Sequence, residues 1–148
     1  DRPYVESIRQ RLKAAGVLDD VQIKPNVDRQ EKLEMLRSLT VFSVPATYGE
    51  AFGLYVLEAL ACGVPVVAAA VGGLRTLVEH GRTGYLVDSR DSADYARHVA
   101  HLLDDPASAT EMAAAAAERS WSYTWSATAS RLHRICDDLT LRTLVDCS

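Results

Sequence analysis

Apolar residues along the chain recur at two spacings, one typical of helices and one typical of buried strands. Over residues 3–15 they return every three or four positions, which predicts a first helix. The almost entirely apolar runs Thr40–Pro45 and Val64–Ala70 predict strands that are buried on both faces of a parallel sheet. Val21–Lys24 and Gly84–Asp88 are shorter strand candidates.

Helix start signals lie between these strands. Asp28 and Glu31 have the spacing of a capping box, which predicts that a helix begins there. Another helix is predicted over Gly53–Cys62, and Asp91 and Asp105 are candidate caps for two more. The last predicted helix carries one apolar stripe: Trp125, Leu132, Ile135 and Leu139. Because strands alternate with helices, the predicted fold class is α/β, with a Rossmann-like parallel sheet and helices on both faces.

The composition is that of one globular domain, with 148 residues of which 48% are hydrophobic and 24% charged. The net charge of -4 predicts no nucleic-acid partner. No apolar run is long enough to predict a transmembrane segment, and no secretory signal is recognised. Three widely spaced cysteines argue against a disulfide framework or a zinc site, and they favour a cytoplasmic location.

Two acids flank the start of the predicted helix Gly53–Cys62. Glu50 lies in the loop after the strand Thr40–Pro45, and Glu58 lies about one turn inside the helix. Ligands of parallel sheets bind beyond the carboxyl ends of the strands, where this loop begins. The first amides of the helix and its dipole favour an anion such as phosphate. An ionised carboxylate only accepts hydrogen bonds, so it suits hydroxyl groups.

The resulting order of hydroxyl acceptor, phosphate site and hydroxyl acceptor follows the outline of a sugar joined through a diphosphate to a ribose. The residues leave a simpler alternative open, in which Glu50 caps the helix and Glu58 is an exposed helix acid. The spacing of the two acids is compatible with both interpretations.

The stretch around the two acids resembles a known family. "PATYGEAFGLYVLEALACGVPVVAAAVGGLRTLVEHGRTGYLVD" is similar to the donor-binding domain of the large retaining family of nucleotide-sugar glycosyltransferases with the GT-B fold. The hallmark of that family is E-x7-E inside a longer block. The matching residues are Glu50, Phe52, Gly53, Leu54, Glu58, Ala59, Gly63, Pro65, Val66 and Val67. With the closing "SWSYTWSATASRLHRI", the resemblance covers residues 3–140.

The resemblance implies a role for each matching position. Glu50 would bind hydroxyls of the transferred sugar and is the implied catalytic residue, while Glu58 would bind the ribose diol. Amides at the helix start would hold the sugar and the phosphates, and Asn26 and Val27 would lie where the family packs its nucleobase. The implied donor-binding set is Glu50, Ala51, Phe52, Gly53, Leu54, Glu58, Asn26 and Val27.

The chain departs from the family pattern in two ways. Ala51 and Tyr55 replace a commoner glycine and proline, and Arg75 and Thr76 replace a commoner proline and acid. The basic pair that precedes this region in the family, and its acceptor-binding domain, have no counterpart in the sequence. Residues 1–148 are therefore expected to form a single, partial donor-binding domain. Strand exchange, homo-oligomerisation or altered pairing would complete its sheet.

The function implied by the resemblance is the donor-binding part of a retaining hexosyltransferase. It would transfer a hexose from a nucleotide-diphosphate sugar to an unknown acceptor, with the base and the sugar left open. A noncatalytic nucleotide-sugar binding or oligomeric assembly module stays open as the alternative. No cofactor and no metal are expected. This chain alone is expected to lack transfer activity, because the leaving diphosphate has no basic pair to stabilise it.

Histidines and aromatic residues outside this block have ordinary expectations. His98 and His101 have the spacing of one helix face but no third ligand, so they are predicted to face solvent. Trp121, Tyr123 and Trp125 are predicted to pack with the last helix.

Overall fold

The computed structural model describes the backbone of residues 2–146 and the side chains of residues 3–139. The chain forms two units that divide between Lys32 and Leu33. The helices are α1 (Arg2–Ala14), α2 (Arg29–Ser38), α3 (Leu54–Ala61), α4 (Leu74–Leu77), α5 (Ser92–Asp104), α6 (Pro106–Ser120) and α7 (Trp125–Asp146). The strands are β1 (Phe42–Val44), β2 (Val66–Ala69) and β3 (Gly84–Val87).

The first unit contains α1, a short 3-10 turn at Leu18–Asp20 and the start of α2. The predicted capping box is confirmed, because the Asp28 amide donates to Glu31 (3.1 Å) and the Glu31 amide donates to Asp28 (2.9 Å). The predicted strand Val21–Lys24 is wrong. The Val21 amide, which a strand would donate to a neighbouring strand, instead closes the 3-10 turn on the Leu18 carbonyl (3.2 Å).

The second unit is built on a parallel sheet with the strand order β1-β2-β3. Phe42 lies opposite Val66, and Val66 lies opposite Gly84, so the carboxyl ends of all three strands meet at one edge. The three strands lie inside the predicted runs and are shorter than them. Within the described residues the sheet has three strands, one fewer than the four strand candidates of the sequence.

The central strand β2 separates two apolar clusters because alternate side chains point to opposite faces of a sheet. On one face, Val66 and Ala68 pack with residues of α3 and α4: Val56, Ala59, Leu60, Leu74 and Leu77. On the other face, Val67 packs with Val87 and with residues of α5 and α6: Leu102, Ala109 and Met112. Helices therefore cover both faces, as the fold class predicts.

A tyrosine from α5 fixes the sheet close to the end of β1. The Tyr95 hydroxyl accepts a hydrogen bond from the Val44 amide (2.7 Å) and donates to the Val67 carbonyl. Burial raises the pKa of Tyr95, so its hydroxyl keeps its proton at neutral pH. This bridge links α5 to both strands at the point where the loop with Glu50 leaves the sheet.

Candidate functional site

The loop that carries Glu50 runs from the carboxyl end of β1 to the start of α3. Gly53 precedes the helix in a left-handed conformation (φ 88°), and no side chain caps the helix. The first amides of a helix have no partners inside it. Some of the amides at this start bond to the Glu50 carboxylate, among them those of Phe52 and Gly53. Phe52 and Leu54 are 43% and 60% exposed, so a ligand can reach them from solvent. As the sequence predicts, a loop joins the carboxyl end of a strand to a helix whose first residue is exposed.

The Glu50 carboxylate is held by two hydrogen bonds. The Tyr55 hydroxyl donates to Oε2 (2.8 Å), and the Phe52 amide donates to Oε1 (3.3 Å). The bond from Tyr55 and then the bond from Phe52 lower the pKa of Glu50, and weaker bonds from the Gly53 and Ala51 amides act in the same direction. Glu50 is therefore ionised at neutral pH and presents a fixed acceptor beside the first turn of α3.

A pair of glycines after β2 supports the Glu50 main chain from behind. The Gly73 amide donates to the Glu50 carbonyl (2.7 Å). A β-carbon on Gly72 would lie 2.0 Å from that carbonyl oxygen, and one on Gly73 would lie 2.5 Å from the Ala51 carbonyl oxygen. The backbone of Glu50 and Ala51 therefore lies directly on the two glycines, an approach that no larger residue permits.

The structure places most of the predicted site residues at one helix start. Ala51, Phe52, Gly53 and Leu54 follow Glu50 directly into α3. Glu58 is half-buried on the same helix. It follows Tyr55 by three residues, so both side chains emerge on one side of α3.

The two residues implied to pack the base, Asn26 and Val27, lie in the first unit. Asn26 has a left-handed backbone (φ 55°), as in a turn. Their role in donor binding stays a prediction.

Sequence reasoning missed the contacts that orient Glu50. In the sequence, Tyr55 stands out only because it replaces the family's commoner proline. Gly72 and Gly73 stand out only as part of the block that resembles the family. The available signal was the phenol placed five residues after Glu50, one residue into the helix. Only the backbone path around Gly53 shows that Tyr55 folds back onto that carboxylate.

Two expectations outside the site need correction. The His98 ring stacks on Tyr85 with centroids 4.0 Å apart and its side chain is 13% exposed, so it does not face solvent. His101 is exposed, as predicted. Trp121 and Trp125 are 72% and 90% exposed, so within the described residues they do not pack with the last helix.

Tyr123, the third residue of that aromatic group, does pack. Its ring meets the edge of Phe52 with centroids 6.2 Å apart, and its hydroxyl donates to the Thr76 carbonyl (3.0 Å). Arg119 also donates to that carbonyl (2.8 Å) and lies over the Tyr123 ring. The end of α6 and the turn after it thereby support the side of the site that carries Phe52.

Known proteins are similar to this chain in sequence and in fold. The family model described as glycosyl transferases group 1 matches residues 1–119. A relative from Thermobispora bispora named D-inositol 3-phosphate glycosyltransferase is 42% identical over 120 residues, which are 81% of this chain and 28% of the relative. The chain thus spans about a quarter to a third of the length of such relatives.

Solved structures give the same result. Sucrose-phosphate synthase from Thermosynechococcus elongatus superposes with a TM-score of 0.79 at 31% identity, covering 93% of this chain and 34% of that one. HepE from Anabaena, solved in complex with UDP-glucose, superposes with a TM-score of 0.78 at 26% identity, covering 95% and 37%. These likenesses confirm the predicted fold, a partial Rossmann-like domain of the GT-B type.

None of the described helices has the length and apolar character that a membrane span requires. The match of the family model covers the first unit and residues 33–119 of the second. The chain belongs to the glycosyl transferases group 1 family.

Proposed function

We propose that this chain is the nucleotide-sugar donor-binding part of a retaining glycosyltransferase that uses a UDP-hexose. The observation that carries the proposal is the Glu50 carboxylate, held in one orientation beside the uncapped start of α3. A fixed acceptor next to the first amides of a helix suits a ligand that joins sugar hydroxyls to phosphate. The donor in the HepE structure, UDP-glucose, has both parts.

The parts of the donor would be distributed along α3. Glu50 accepts from hydroxyls of the hexose, and amides of the loop and first turn of α3 donate to the phosphates. Glu58, on the same side of the helix as Tyr55, accepts from the ribose diol. In this arrangement the two acids bind opposite ends of the donor, and the helix dipole favours its anionic middle.

A retaining transfer of the hexose also needs an acceptor and stabilisation of the leaving diphosphate. The Thermobispora bispora relative is about three times longer than this chain, because the 120 matched residues are 28% of its length. We therefore expect the 148-residue chain to bind the donor without transferring the hexose.

Calorimetric titrations with UDP-, GDP- and ADP-glucose test the proposal, with free UDP as a further ligand. Glu50→Gln is expected to weaken UDP-glucose by roughly 10- to 100-fold and to leave UDP unchanged, because a hydrogen bond to a charged group contributes about 1.5–3 kcal/mol. Glu58→Gln is expected to weaken both ligands, since both contain the ribose.

Glu111→Gln is the matched control, because Glu111 is an exposed acid on α6 and belongs neither to the loop of Glu50 nor to α3. Unchanged affinity for UDP-glucose in both the Glu50 and the Glu58 variants would refute the site. Stronger binding of GDP- or ADP-glucose than of UDP-glucose would refute the choice of base.

A further inference from the structure

Resting on the proposed function, we propose that Tyr55 is a positioning residue for the donor sugar: its hydroxyl holds the Glu50 carboxylate in the orientation that accepts from a hexose hydroxyl. The matching position in the family pattern is commonly proline, which has no side-chain donor. Tyr55 would therefore supply this chain with a sugar contact that acts through another residue.

The acceptor sites of the Glu50 carboxylate are shared between protein donors and the hexose. An ionised carboxylate has about four lone-pair sites, two on each oxygen. The Tyr55 hydroxyl uses one site on Oε2, and the Phe52 amide uses one on Oε1. Weaker bonds from the Gly53 and Ala51 amides reach the same carboxylate, and among these four donors Tyr55 lowers its pKa most. The geometry of the Tyr55 bond therefore decides which acceptor site of Glu50 stays open to a hexose hydroxyl.

The tyrosine ring itself is fixed. It packs against the apolar cluster on the α3 face of the sheet, and it meets the Phe42 ring edge-on with centroids 6.4 Å apart. Burial and then the hydrogen bond to Glu50 raise the pKa of Tyr55 to about 12, so its hydroxyl remains a donor throughout the neutral range. A donor that is held by packing fixes the orientation of the carboxylate. A water molecule in its place would not, because packing would not hold it.

The Tyr55 hydroxyl is expected to affect binding of the sugar and not of the nucleotide. Tyr55 has one O–H proton, and it donates that proton to the carboxylate proposed to bind the hexose (2.8 Å). Loss of its hydroxyl should therefore affect a nucleotide sugar but not the free nucleotide.

The experiment is a calorimetric double-mutant cycle on the whole chain, with UDP-glucose and UDP as ligands. Tyr55→Phe keeps the packed ring and removes one hydroxyl. It is expected to weaken UDP-glucose by about 3- to 10-fold and to leave UDP within about 2-fold. In the Glu50→Gln background it should cause no further loss, because the two residues act as one unit. Tyr4→Phe, which removes an exposed hydroxyl from α1, is the matched control.

The pH dependence of UDP-glucose binding below neutrality gives a second readout. It would not change if Tyr55 only stabilised the fold. The Tyr55 bond lowers the pKa of Glu50, so its loss should let Glu50 take up a proton at higher pH. In Tyr55→Phe the preference for UDP-glucose over UDP should then begin to fall at a higher pH than in the unmodified chain.

The outcomes are distinct. An equal loss for UDP and UDP-glucose, additive losses in the double mutant, or an unchanged UDP-glucose affinity in Tyr55→Phe would overturn the role of Tyr55 alone, provided that Glu50→Gln still weakens UDP-glucose. Failure of the unmodified chain to bind any of the three nucleotide sugars would overturn the proposed function and this inference with it.

Discussion

Replacing Gly72 by alanine is expected to displace Glu50, because the new methyl group would occupy space that the Glu50 main chain fills. A β-carbon at position 72 lies 2.0 Å from the Glu50 carbonyl oxygen and 2.8 Å from its amide nitrogen. Such contacts need at least 3.0 Å, and both atoms belong to the backbone, which cannot rotate away as a side chain can. The loop at Glu50 must therefore move by about 1 Å, the size of misplacement that impairs a binding geometry.

The expected loss of stability has two parts. Gly72 has a φ of 46°, and a left-handed conformation costs alanine about 1–2 kcal/mol. Relief of the close contact adds about 1–3 kcal/mol, as for other overpacked sites. The free energy of unfolding should therefore fall by about 2–5 kcal/mol.

Two other glycines separate these parts in urea unfolding followed by circular dichroism. Gly81 has a φ of 80° but no atom within 4 Å of the added carbon, so Gly81→Ala should show the conformational part alone. Gly49, in the same loop as Glu50, has neither feature, so Gly49→Ala should stay within about 0.5 kcal/mol of the unmodified chain. Equal unfolding free energies for the Gly72 and Gly81 variants, with UDP-glucose affinity intact in the Gly72 variant, would refute the reasoning.

Two further predictions concern the face of the sheet covered by α5. Leu102→Ala should lower the unfolding free energy by about 2–5 kcal/mol, because Leu102 is fully buried, whereas Leu103→Ala should change it little, since Leu103 is 54% exposed. Equal urea midpoints for the two variants would contradict this. Burial lowers the pKa of His98, so the unfolded chain binds more protons below the ordinary histidine value of about 6.5. Stability should thus be complete above that pH and fall as the pH drops through it. His98→Gln should reduce this slope in urea titrations and exposed His133→Gln should not; identical slopes in all three proteins would count against it.

Local signals predicted the helices well because each depends on residues that are close in sequence. Asp28 and Glu31 form the expected capping box, and Asp105 caps α6 by accepting from the Ala107 and Ser108 amides (3.1 Å each). A strand depends on a partner that may be far away along the chain. Val21–Lys24 alternates apolar and polar residues, and Val64–Ala70 is almost entirely apolar. Both patterns predict strands, yet only the latter contains one.

The site shows the same division. The start of α3 after β1 could be predicted from a glycine, an apolar run and two acids. The bond from Tyr55 to Glu50 could not, because it depends on how the loop turns at Gly53. The donor roles of the site residues, the absence of a metal, the cytoplasmic location and the completion of the sheet by a second chain stay predictions.

The alanine-rich helix α6 belongs to both apolar clusters. Ala116 lies in the cluster of α3, whereas Ala109 and Met112 lie in the cluster of α5. Small side chains allow close approach there, since a β-carbon on Gly63 would lie only 3.6 Å from the Ala113 carbonyl oxygen. The helix α6 thus contributes to the apolar clusters on both faces of the sheet. Unfolding of one cluster is therefore expected to destabilise the other. The loop that carries Glu50 is therefore expected to unfold together with residues on the far side of the strands.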